Sequence, residues 1–90
     1  MTGTEKLSAL RMKIDKIDEQ ILALFQERMF IADEVAEIKA ARDIQITDSG
    51  REQEIMNRVK TLTDVTVTDD AESLLRLIIE MSKKRQRAKH

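Results

Sequence analysis

Residues 7–39 read LSALRMKIDKIDEQILALFQERMFIADEVAEIK, and the spacing of their apolar side chains decides the fold. One series is Leu10, Ile17, Leu24, Ile31 and Ile38; the other is Leu7, Ile14 and Ile21, then Arg28, then Val35. Apolar residues thus recur at alternating steps of three and four, a heptad-like seam that only a helix presents on one side. No proline or glycine interrupts the chain from Thr4 to Ser49. The pattern predicts one helix over residues 5–42. At 1.5 Å per residue it is roughly 57 Å long. A compact chain of this size has a diameter of only about 30 Å. Much of the seam would therefore stand in water unless a partner covers it, and a second copy related by a two-fold axis is the simplest partner.

Working outward, a second helix is expected to start at Asp48-Ser49-Gly50-Arg51-Glu52 and to end near Thr63. Ser49 and Glu52 have capping-box spacing, and Asp48 is itself a favourable cap. Ile55, Met56, Val59 and Leu62 supply its apolar face. The stretch Asp64 to Thr68 alternates Val with Thr but is too short and isolated for a sheet. A third helix opens at Thr68-Asp69-Asp70, where acidic side chains suit the positive helix end. Its stripe runs through Ala71, Leu75 and Ile78, widened by Leu74, Leu77 and Ile79. The expectation is an all-α fold of three helices, one long and two short, in a single domain over residues 1–90.

Composition narrows the chemistry. The chain has 90 residues, 41% hydrophobic and 37% charged, with no Cys, Pro, Trp or Tyr. This balance fits a soluble, helix-rich chain rather than a disordered one, and a cytoplasmic protein is the starting expectation. Without Cys there is no disulfide framework, thiolate metal site or thiol nucleophile. The one His is the last residue, so a histidine triad or histidine metal cluster is not expected, and neither is a cofactor. The net charge of −1 creates no field toward nucleic acid or membranes. No apolar run approaches the roughly 18 residues of a spanning helix, and the N-terminus has no signal-peptide pattern.

Several polar residues stand where the pattern calls for apolar ones. Arg28 interrupts the seam, either as a register-setting residue or as an arginine held in a dry pocket to grip a carboxylate. Lys39, eleven residues on, returns to the same face about 16 Å along the axis; alone it reads as a solvated charge near a helix end. Arg11 lies about 25 Å before Arg28 and roughly 100° around the helix. The two cannot share a small ligand within one chain. In an antiparallel dimer Arg11 of the second copy would reach the Arg28–Lys39 region, with the dyad near Leu22. Ser82 and Gln86 continue the third helix's stripe, as an inward hydroxyl and amide or as a stripe running out to solvent. The run Lys83-Lys84-Arg85-Gln86-Arg87-Ala88-Lys89-His90 has no aromatics to support a nucleic-acid patch, and cations closing a helix C-terminus explain it more simply.

Taken in order, Arg11, Glu27-Arg28, Val35, Ile38-Lys39, Asp48-Ser49-Gly50-Arg51-Glu52 and Ser82 with Gln86 resemble the all-helical chorismate mutases over essentially the whole chain. The resemblance implies an intertwined antiparallel homodimer with two sites, each built from both chains. It implies rearrangement of chorismate to prephenate on the way to phenylalanine and tyrosine, with no cofactor. Arg11 then corresponds to the arginine given across the dimer to one substrate carboxylate, and Arg28 to the same-chain arginine on the other. Lys39 and Gln86 correspond to the donors on the ether oxygen. Glu52, with the backbone near Asp48, corresponds to the hydroxyl site, and Ser82 and Arg51 to residues lining or bracing the pocket. Thr47 departs from the basic residue common at that place. Two other readings share these residues: an isochorismate–pyruvate lyase of the same fold, and a non-catalytic helical dimer or interaction module.

Overall fold

A computed structural model describes residues 1–89 of the chain. It holds three helices, α1 (Gly3–Ala41), α2 (Ser49–Leu62) and α3 (Thr68–Lys89), and no strand among the described residues. The all-α reading is correct. Two compact units are distinguished, residues 1–30 and residues 31–90.

In residues 1–30, helix α1 begins two residues earlier than its apolar spacing suggests, because Thr2 and Glu5 form a reciprocal cap. The Glu5 N–H donates to Thr2 Oγ1 at 3.1 Å, and the Thr2 N–H donates to the Glu5 carboxylate at 3.2 Å. Two of the otherwise orphaned donors at the helix start are thereby satisfied. The seam residues Leu7, Leu10, Ile14, Ile17, Ile21 and Leu24 are each between 48% and 64% exposed. Among the described residues that apolar row is left about half exposed to solvent.

In residues 31–90, the last turns of α1 bury a different face. Ala32 and Ala36 are buried, one turn apart, whereas Ile31, Val35 and Ile38 are exposed. Small side chains let neighbouring backbones approach closely, so the alanines serve the internal core and the branched seam does not. The remaining core residues are Met56 and Val59 on α2 and Ile79 on α3. Leu62, expected on the buried face of α2, is almost fully exposed.

Helix α1 stops by a specific device. Asp43 adopts a left-handed conformation, φ 53°. The Ile44 N–H reaches back to the Lys39 carbonyl at 2.8 Å and the Asp43 N–H to that of Ala40 at 3.4 Å. These are the paired bonds of a Schellman ending, with aspartate where glycine is usual. Between α2 and α3, Asp64 Oδ1 accepts from both the N–H and the hydroxyl of Thr66, at 2.9 and 2.6 Å. Val65 and Val67 are therefore part of a side-chain-stapled turn, as their isolation suggested. The Thr63 and Thr68 hydroxyls meet at 2.9 Å across this link. The short connection makes α2 and α3 antiparallel neighbours.

Candidate functional site

The cap of α2 places the first site residues. Asp48, with extended backbone, precedes the helix, and its Oδ1 accepts from the Arg51 N–H at 2.9 Å. Asp48 rather than Ser49 is the cap, so the Ser49–Glu52 capping box does not form. The Arg51 side chain instead turns to Glu54, one turn on, at 3.2 Å and largely exposed. Glu52 is left for another partner. Lys83 Nζ donates to its two carboxylate oxygens at 3.4 and 3.2 Å, and also lies 3.2 Å from Glu80. The antiparallel hairpin makes this meeting possible, bringing the start of α2 to the end of α3.

These bonds raise the Lys83 ammonium above its ordinary value, the Glu52 hydrogen bond first, with burial opposing and Glu80 adding to the rise. Glu52 also lines a groove of about 430 Å³ between α2 and α3, with Met56, Arg76 and Ile79. Its carboxylate is thus held on one side and remains open on another.

Lys39 is half-buried near the end of α1, and its Nζ donates to the Ile46 carbonyl at 2.7 Å. The expected solvated charge is instead directed inward, fixed to the loop that leads to Asp48. On α3, Ser82 and Gln86 are both buried, so the stripe has not run out to solvent. The Ser82 hydroxyl donates to the Ile78 carbonyl at 3.0 Å, a bond within its own helix. The Gln86 Oε1 is fully enclosed and has no hydrogen-bond partner among the described residues. A buried carbonyl oxygen left unpaired costs about 1–3 kcal/mol. Arg11, exposed, and Arg28, half-buried, belong to residues 1–30.

The basic C-terminal run does more than close its helix. Lys83 holds Glu52, Arg85 binds Asp33 through two bonds of 3.0 and 2.6 Å, and Lys89 lies 3.6 Å from Glu37. Only Arg87 and Lys89 fall in the last turn, and His90 lies outside the described residues. Sequence reasoning missed Lys83 and the Arg85–Asp33 pair because both depend on which helices become neighbours. The signal available for Lys83 was its place between Ser82 and Gln86. Among the described residues no helix is long and apolar enough to cross a membrane, and no cluster of three acidic, His or Cys side chains could hold a metal ion.

Comparison with known proteins supplies the chemical context. The family model described as chorismate mutase type II matches residues 10–87. A chorismate mutase of Methanocaldococcus jannaschii is 39% identical over 85 residues, covering 92% of this chain and 86% of that protein. The bifunctional chorismate mutase/prephenate dehydratase of Escherichia coli is 38% identical over 90 residues, 98% of this chain and 23% of its own length. Its counterpart in Aquifex aeolicus is 41% identical over 58 residues, 64% of this chain and 16% of that protein. The chain thus spans most of the archaeal relative and less than a quarter of the bifunctional ones.

Proposed function

From the premise that the chain belongs to the chorismate mutase type II family, we propose that it is an isomerase converting chorismate to prephenate, all of residues 1–90 acting as one catalytic domain in the cytosol. The match of residues 10–87 to that family carries the reading. The buried, partly unsatisfied amide of Gln86 favours an enzyme over a bare helical scaffold.

The reaction suits the residue types present. A carbon–oxygen bond breaks and a carbon–carbon bond forms within one molecule, with no proton transferred and no covalent intermediate. The protein must hold a flexible dianion in its compact reactive shape. It must also stabilise the negative charge that grows on the ether oxygen as the bond lengthens. Arg11 and Arg28 perform the first task by gripping the two carboxylates. Lys39 and Gln86 perform the second by donating to the ether oxygen. Glu52, beside Asp48, accepts from the substrate hydroxyl, and Arg51 and Ser82 line the pocket. The active form is an antiparallel homodimer in which α1 seams cover one another and Arg11 enters the partner's site. The exposed apolar row of residues 7–24 supports this assembly, since a continuous apolar face on a helix calls for a partner.

Purified protein mixed with chorismate should form prephenate. Lys39→Ala and Arg28→Ala should each lower turnover about a hundredfold or more with helicity intact. Arg28→Ala activity within a few-fold of the parent overturns the site. The shared site has its own test. Arg11→Ala and Arg28→Ala proteins, each inactive, should on mixing and exchange recover about a quarter of full activity, because half the chains form mixed dimers with one intact site. No recovery from freely exchanging chains rules out the cross-dimer role of Arg11.

A further inference from the structure

We propose that Lys83 is a positioning residue for Glu52, holding its carboxylate toward the substrate hydroxyl and offsetting its charge against the dianion. The proposal rests on the chorismate reading above. Its basis is the geometry of one ammonium between two carboxylates. Glu80, one turn away on the same helix, is 61% exposed, whereas the Lys83 side chain is only 13% exposed. A lysine serving Glu80 alone would remain in water, where its strongly hydrated ammonium is most stable. Its stem instead runs inward, and its head lies within 3.4 Å of both Glu52 oxygens.

The chemistry of the site gives this placement a purpose. An isolated Glu52 carboxylate repels a dianion, and in a half-buried site the repulsion is weakly screened. With an ammonium at hydrogen-bond distance the carboxylate presents a dipole instead of a net charge. A carboxylate offers about four lone-pair directions, so two bonds to Lys83 leave others for a substrate hydroxyl. Lys83 also stands roughly 60° around α3 from Gln86 and follows Ser82 in sequence, the two α3 residues proposed above to face the substrate.

The experiment is steady-state kinetics with chorismate on Lys83→Met, Lys83→Arg, Glu52→Gln and the Lys83→Met/Glu52→Gln double variant. Lys83→Met should raise KM about tenfold with kcat within about threefold, and Lys83→Arg should restore most of the loss. In the Glu52→Gln background the same change should alter KM by less than about twofold. An unchanged KM, an equal rise in the Glu52→Gln background, or a loss that arginine does not rescue overturns the proposal. A readout independent of turnover is the slowly exchanging Lys83 ammonium signal in nitrogen-15 NMR of the substrate-free protein. It should be lost in Glu52→Gln, and its persistence there overturns the proposal even if Lys83→Met does not fold. A wild-type protein that leaves chorismate untouched overturns both readings; an active one indifferent to Lys83→Met overturns this one alone.

Discussion

Arg85 grips Asp33 through two parallel bonds, Nε to Oδ1 at 3.0 Å and Nη2 to Oδ2 at 2.6 Å, and so ties the end of α3 to α1. The hydrogen bond from Arg85 is the main reason the Asp33 carboxyl lies below its ordinary value; burial opposes it, and the charges of Arg85 and Lys89 add to it. A depressed carboxyl contributes stability that is present above its unfolded value and lost as pH falls through the folded one. Asp33→Asn should therefore flatten the fall in stability below about pH 4, seen in urea midpoints measured across that range. Arg85→Lys should not preserve the wild-type curve, because an ammonium cannot reproduce the two-pronged geometry. A wild-type acid limb in Asp33→Asn would sink the argument.

Asp43 ends α1 in a backbone conformation that costs most side chains about 1–2 kcal/mol. Aspartate tolerates it better than most, and glycine and asparagine better still or equally. Asp43→Gly and Asp43→Asn should leave thermal stability unchanged or raise it. Asp43→Val should lower it by about 1 kcal/mol or more. A valine variant as stable as the parent would show that the ending rearranges.

The start of α2 holds two opposite effects two residues apart. Asp48→Ala removes the acceptor for the Arg51 N–H and should cost about 1 kcal/mol, while Asp48→Ser should recover most of it. Gly50→Ala should stabilise by about 0.5–1 kcal/mol, since glycine is a poor helix residue. A Cβ there meets nothing nearer than Asp48 Oδ1 at 3.5 Å, an ordinary contact. Chemical denaturation of the three variants separates the effects.

Gln86 should reveal a conflict between stability and activity. Gln86→Met keeps the volume and removes the enclosed, unpaired Oε1. The variant should gain about 1 kcal/mol or more in stability while losing about a hundredfold in kcat. Paired melting curves and kinetics decide it. A variant that is both more stable and fully active would remove Gln86 from the site.

How far the sequence could be read depended on the range of the interaction. Helix positions followed from apolar spacing, and Asp48 and Thr68 marked their starts within a residue or so. Asp48 and Ser49 are both cap candidates and sit side by side, and local spacing does not choose between them. Apolar spacing alone puts the start of α1 too late, although Thr2-Gly3-Thr4-Glu5 carries a capping-box signature. The buried Ala32–Ala36 face is masked in the sequence by a stronger row of Ile and Leu. Lys83 and Arg85 looked like helix-end charges, since their partners are 31 and 52 residues distant. Pairings of that kind become visible only when the helices are placed together.

The stapled turn between α2 and α3 bears on the order in which the molecule assembles. Asp64 with Thr66, and Thr63 with Thr68, fasten a link whose ends are separated by few residues, so little chain entropy is lost in closing it. A hairpin of two helices with such a connection forms on the fast, local side of folding kinetics. The apolar row on α1 has no such neighbour nearby, and in the homodimer proposed above it is covered only once a second chain arrives. The slow phase of refolding should then be second order, its rate rising with protein concentration while the early helical signal does not.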